Sequence, residues 1–347
     1  MSAPQGQRLA YRTGGAPDGS PWLAIHGGPG SGAQPALVQP LDAARHRILV
    51  LDQRGAGASR PRGRTAGNTL AALVGDMERL RQALGIVQWS LLAGSWGTVV
   101  ALDYAQRHPA RVKRLVLRGA FGLTRRELLG VLRPARAMQR RWPAQGWPLH
   151  EGVALPVALK QLQRQLRRRP PLRGPARTAV RYWQALEAAA AERGLRRSLR
   201  HAAASTRPGA PPPGVAAELP SAIRAAWAGL RRGLRQARAA FQRPRSGAAD
   251  RLGWQKFRIQ AHYLARRGFT TPAALHQAVR SLARQGVPVD WVHGRFDSIC
   301  PPANSRRWAD SGRRHGSAPV RLLTPHSGHL GGEPDMLRTL RALLAQC

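Results

Sequence analysis

Gly94-Ser95-Trp96-Gly97 sets a serine hydroxyl among small residues, after the apolar run QWSLLA (88–93) and before a helically patterned stretch, 96–107. A strand that turns sharply into a helix exposes the side chain at the turn, and small neighbours keep clear of it. That suits a nucleophile, although the residue two before the serine is Ala93 where glycine is usual. A serine hydroxyl needs a base to take its proton, and the base needs a carboxylate to orient it. It also needs N–H groups aimed at the developing oxyanion. The Trp96 N–H, at a helix start, is one candidate. His26-Gly27-Gly28-Pro29-Gly30 offers another, because glycines let backbone N–H groups approach a ligand closely. Gly28 is the preferred donor and Gly27 its alternative. His26 is read as shaping that loop.

The elements that must position these groups alternate. PWLAIHG (21–27), HRILVLD (46–52), QWSLLA, VKRLVLRG (112–119), VPVDWVHG (287–294) and PVRLLT (319–324) read as strands. With RLAYR near the N-terminus they make about seven. Helical spacing runs over 70–84, with Asn68 as a candidate cap, over 96–107, which ends before Pro109, and over 333–345. This alternation predicts an α/β architecture, a mostly parallel sheet with helices on both faces. Between the two blocks the chain is rich in Leu, Ala and Arg and lacks strand signals. Helices are expected around 156–169, 176–193, 220–242 and 250–267, with loops at RRRPPLRGP and STRPGAPPPG. The predicted division is a core of 1–123 and 285–347 carrying an inserted helical cap, 124–284.

The acid and base belong in loops after late strands, in the order Ser, Asp or Glu, His. Asp297 lies just beyond VPVDWVHG and His329 just beyond PVRLLT. Asp290 falls inside a strand and Asp310 inside a helix, so neither suits. His315 precedes the last strand. His326, three residues before His329, remains a rival for the base. An aspartate nucleophile is excluded at position 95.

HGGPG, DQRGAGAS (52–59), GSWG (94–97), HPARVKRLVLRGAF (108–121), HGRFDSICP (293–301) and SGHL (327–330) resemble the proline iminopeptidases, within the α/β-hydrolase superfamily. The likeness covers roughly 21–121 and 287–331. It implies a cofactor-free, metal-free serine exopeptidase that releases an N-terminal proline, with Ser95, Asp297 and His329 as triad. It favours His329 over His326, because the family's base follows a glycine. It also implies that cap carboxylates hold the substrate's α-ammonium. Trp183-Gln184-Ala185-Leu186-Glu187 resembles the family's W-x-x-W-E element, with Leu186 at the second tryptophan. Arg258-Ile259-Gln260-Ala261-His262-Tyr263-Leu264 resembles R-I-E-x-H-Y-F, with Gln260 in place of the glutamate. A glutamine offers an ammonium only a neutral acceptor. An esterase or amidase on the same scaffold is therefore the first rival function.

The 347-residue chain carries 56 Lys+Arg against 17 Asp+Glu, a net charge of +39. Residues 121–286 hold 33 basic and 6 acidic residues, and Glu187 is one of the six. Such a surface sticks to polyanions, so a polyanion-binding protein with a vestigial hydrolase core is a second rival. No nucleic-acid motif accompanies the charge, and specific nucleic-acid binding is not expected. No apolar run is long enough to span a bilayer, and the N-terminal stretch lacks a signal-like apolar segment. Two cysteines, Cys300 and Cys347, make no disulfide framework or zinc pattern. A cytoplasmic location is expected, and Cys300 reads as a small buried apolar residue.

Overall fold

The computed structural model describes residues 1–134, 146–205 and 247–346, with scattered positions between. The helix expected over 220–242 and the STRPGAPPPG loop fall largely outside the described residues.

Short strands β1 (Ser2–Ala3) and β2 (Gln7–Arg8) pair with each other. The main sheet has seven strands: β3 (Tyr11–Gly15), β4 (Ser20–Ile25), β5 (His46–Leu51), β6 (Trp89–Gly94), β7 (Val112–Arg118), β8 (Val289–Val292) and β9 (Val320–Leu323). Their spatial order is β3-β5-β4-β6-β7-β8-β9. Only β3 runs antiparallel, against β5. β6 is buried along its whole length, as a central strand covered on both faces must be. Helices α1 (Pro35–Val38), α2 (Leu70–Ala83), α3 (Trp96–Arg107), α9 (Ala303–His315) and α10 (Pro334–Leu344) accompany the sheet.

The inserted stretch contributes α4 (Arg125–Leu132), α5 (Leu155–Gln165), α6 (Gly174–Ser205), α7 (Ala248–Ala265) and α8 (Pro272–Arg284). Trp183 of α6 stacks on Phe257 of α7, centroids 5.0 Å apart, and Trp147 meets Trp183 edge-on. Arg181 and Asp250 form a buried two-bonded pair between the same helices. Leu186, where the resembling family has tryptophan, is buried as well.

One expectation needs correction, and one helix of the inserted stretch packs with the core: α8 lies against α3 and α9, both helices of the sheet layers. Thr69, not Asn68, caps α2, its hydroxyl accepting from Ala72 N–H. Asn68 instead ties core to cap: its amide donates to the Arg54 carbonyl, and its side-chain oxygen accepts from Tyr263 of α7 at 2.6 Å.

Candidate active site

Loops at the C-terminal ends of the parallel strands meet over the middle of the sheet, where open α/β folds carry their ligands. Ser95 follows β6 with φ 56° and ψ −125°, a strained conformation for a residue with a Cβ. The strain survives because its surroundings leave no alternative. A Cβ on Gly97 would meet the Ile25 carbonyl oxygen at 2.4 Å, and one on Gly94 would meet Arg118 at 2.4 Å. Ala93, two residues before the serine, is buried in β6 without disturbing its pairing with β4 and β7.

The loop after β4 lies against the serine. A Cβ on Gly27 would stand 3.1 Å from Ser95 Cβ and 3.7 Å from its Oγ, so Gly27 is the glycine in direct contact. Gly28, φ +120°, lines the same cavity. His26 is buried and structural in its bonding. Its Nε2 accepts from Gln53 N–H and its Nδ1 donates to the Gly27 carbonyl. Gln53 in turn donates to the His26 carbonyl and accepts from the Trp96 indole. The DQRGAGAS stretch thereby fixes both walls of the Ser95 turn. Its Asp52 accepts from Ala33 and Ala58 N–H groups, and its Arg54 forms a buried pair with Asp76.

Asp297, after β8, and His329, after β9, come together: His329 Nδ1 lies 2.7 Å from Asp297 Oδ2. The other carboxylate oxygen accepts from Ile299 and Cys300 N–H groups. Burial alone would raise the Asp297 pKa, but the adjacent His329 and His293 outweigh it and hold the carboxyl well below its usual range. Asp297 is therefore held as a carboxylate against the His329 ring. His326 is turned elsewhere: it stacks on His201 at 4.0 Å and lies 3.4 Å from an Arg295 nitrogen. Asp290 is held by Arg114 and Arg321 within the sheet.

Sequence reasoning missed several neighbours. Cys300 is buried as expected but lines the same cavity as Ser95, and burial together with the Asp297 charge pushes its pKa well up. With Asp297 and His329 it forms the one cluster of possible metal ligands among the described residues. Glu333 bonds the N–H groups on both sides of His329, Gly328 at 2.6 Å and Leu330 at 3.0 Å. Arg118, at the end of β7, donates to the His329 carbonyl, and burial draws its pKa down.

Ser95, Gly28, His329, Cys300, Glu187 and Gln260 all line one cavity of about 740 Å³. Gln260 is buried and donates to Glu187 Oε1 at 3.0 Å. Glu187 Oε2 is bonded by Lys256 Nζ, a partner invisible in the sequence pattern because it lies 69 residues away.

A family profile described as alpha/beta hydrolase fold matches residues 23–333. The proline iminopeptidase of Xylella fastidiosa (strain 9a5c) is 49% identical over 121 residues, 35% of this chain and 39% of the relative. That of Neisseria meningitidis serogroup A is 44% identical over 138 residues, covering 40% and 44%. The chain thus matches about two fifths of the length of these curated relatives. Among solved structures, esterase E22 superposes with a TM-score of 0.58 at 13% identity, covering 98% of this chain and 94% of that one. A proline iminopeptidase-related protein from Thermus thermophilus gives 0.53 at 21% identity, covering 99% and 95%. At those identities the superpositions speak to fold alone. The profile match begins in β4, beside the strained serine's strand, and ends at the carboxylate that clamps the His329 loop: the chain belongs to the alpha/beta hydrolase fold family.

Proposed function

We propose that this chain is a serine exopeptidase resembling the proline iminopeptidases, releasing an N-terminal residue, preferably proline, through an acyl-enzyme. The reading rests on one observation: a strained Ser95 shares a cavity with His329, which Asp297 bonds from behind, and with a carboxylate, Glu187, contributed by the cap. Ser95 Oγ attacks the carbonyl carbon of the N-terminal residue while His329 Nε2 takes the hydroxyl proton. Asp297 stabilises the imidazolium through Nδ1–H. N–H groups of Trp96 and of Gly28 or Gly27 hold the oxyanion. Collapse breaks the C–N bond, and the imidazolium gives its proton to the leaving amine. Water, deprotonated by His329, then hydrolyses the ester and restores Ser95.

Glu187, with Gln260 beside it, is the seat for the substrate's α-ammonium. An exopeptidase must count one residue from a charged end, and a partly buried carboxylate does this by stabilising that charge. The chemistry needs no metal or cofactor. The cap runs from about 124 to about 271, since α8 packs with the core. A cytoplasmic setting and peptide substrates fit the reading. Among the described residues no helix is long and apolar enough to cross a membrane.

Esterase or amidase activity is the second reading, favoured by the Lys256–Glu187 bond. A side-by-side assay of a prolyl anilide and a short neutral acyl ester separates the two. Ser95→Ala should abolish both activities and covalent labelling by a fluorophosphonate. Undiminished labelling would remove Ser95 from the mechanism.

A further inference from the structure

We infer that Lys256 is a specificity-determining residue: its ammonium occupies the seat that a substrate's α-ammonium would take on Glu187, leaving Gln260 Oε1 to receive a neutral N–H or O–H donor. This rests on the proposed role of Glu187 as the amine seat.

Both oxygens of Glu187 are engaged from within the protein. Oε2 bonds Lys256 Nζ, and Oε1 accepts from the Gln260 amide at 3.0 Å. The two charged side chains are only about a quarter exposed, Lys256 27% and Glu187 23%, so water screens the pair weakly. Leaving Glu187 would cost Lys256 its charge-assisted bond. Its carbonyl oxygen would be 2.8 Å from a Cβ on Gly30, so its backbone is pressed onto the loop that carries Gly28. Its Nζ also stands 5.1 Å from the Phe257 ring centroid.

Gln260 supplies the second, independent observation. It is 5% exposed and lines the cavity, and its Oε1 is buried without a hydrogen-bond partner. Turning the amide over would set Oε1 against the Glu187 carboxylate, two acceptors face to face, so Glu187 fixes the orientation. A buried acceptor without a donor is costly, and a ligand that supplies one recovers that cost. A single neutral donor fits this corner: the N–H of a blocked or uncharged acyl group, or a hydroxyl. An incoming ammonium must displace Lys256 from Glu187 or sit beside it, and like charges at such range repel. The site therefore takes acyl groups with uncharged ends alongside N-terminal residues, and Lys256 sets the balance between them.

The experiment measures inhibition of neutral-ester hydrolysis by L-prolinamide and by N-acetyl-L-prolinamide, in the wild type and in Lys256→Met, which keeps the apolar stem. The expected result is that the preference for the free amine, the ratio of the two inhibition constants, rises about tenfold in Lys256→Met, the weight of one charge-assisted bond. A ratio that rises by less than about threefold, or falls, overturns the inference, since Lys256 would then be holding Glu187 in place. Prolinamide that competes with the ester in neither protein also overturns it, because the corner is then no amine seat. Lys256→Gln gives the same readout if Lys256→Met does not fold. Failure of the exopeptidase reading looks different: neither protein turns over a prolyl anilide, while prolinamide still competes with the ester and the ratio still shifts.

Discussion

Replacing Glu333 should damage catalysis without touching substrate. Its carboxylate is buried and accepts from Gly328 N–H at 2.6 Å and Leu330 N–H at 3.0 Å, the two amides that bracket His329. Glu333→Ala leaves both donors without their acceptor. Each such loss costs about 1–3 kcal/mol, so the fold should lose about 2–6 kcal/mol, the lower end if water reaches Leu330. Glu333→Gln keeps one acceptor oxygen and should lose about half of that. The rate should suffer for a geometric reason. Arg118 would still hold the His329 carbonyl, but the peptide planes on either side could rotate, and the ring rides on them. A displacement of about 1 Å at a reacting group costs about 100-fold. We expect kcat to fall about 10- to 100-fold in Glu333→Ala, less in Glu333→Gln, with KM changed little. The loss should be equal for a prolyl anilide and a neutral ester, because both need the same base. Initial rates on both substrates, beside thermal melting, make the test. A melting temperature that drops while kcat holds within about twofold would show that Glu333 supports the fold but not the base.

Glu187→Gln should cut kcat/KM for a free prolyl anilide far more than for a neutral ester, by about tenfold in the ratio; equal losses would leave the esterase reading. Gly194→Ala should destabilise by about 1–3 kcal/mol and lower both activities, because a Cβ there would lie 2.9 Å from the Phe296 carbonyl oxygen and 3.0 Å from Gly328 Cα, in the His329 loop; melting and rates read this directly. Bonds from Arg81 pull the Glu78 pKa down from 4.5 to about 2, so its stabilising contribution is full above its unfolded value and lost as pH falls through about 2. Glu78→Gln should therefore lose less stability than the wild type on acidification, as followed by denaturation midpoints. Hydrolysis of a neutral ester should vary little with salt, whereas any DNA retention should vanish steeply as salt rises.

How much of this was legible in the sequence depended on range. Strand periodicity located the sheet because burial on both faces leaves apolar runs such as Trp89–Gly94. Ser95, Asp297 and His329 could be singled out as candidates because each closely follows such a run, and the structure sets Ser95 and His329 in one cavity with Asp297 bonded to His329. Asn68 looked like a cap by residue type, yet its side chain is committed to Arg54 and Tyr263 across the core–cap junction, leaving the cap to Thr69. α8 continues the composition of the cap, and only its packing on α3 and α9 reveals its layer. Cys300 sits in a loop that turns back to line the cavity, so spacing alone could not distinguish it from a core residue. Glu333 carried a usable signal, an acid four residues after His329 in a glycine-rich loop. Arg118 carried none, since it reaches a carbonyl 211 residues away.

The charge of the middle segment and the state of Glu187 are one problem. Residues 121–286 have 33 basic and 6 acidic side chains, so an acid there meets a cation almost wherever it points. Glu192 is taken by Arg196, Asp250 by Arg181 and Glu187 by Lys256. Glu127 escapes by serving backbone N–H groups of Gly122 and Thr124 and the Asn304 amide. The arginines crowd one another as well: burial lowers the pKa values of Arg193 and Arg258, and neighbouring arginines lower them further. In such a field a carboxylate can serve as an empty ammonium seat only if every nearby cation is tethered elsewhere. Lys256 is on the adjacent helix, aimed at the seat and pressed by its backbone against the Gly28 loop. On the proposed exopeptidase reading, selectivity for a free amine is therefore set less by whether Glu187 is present than by what its own chain has already placed on it.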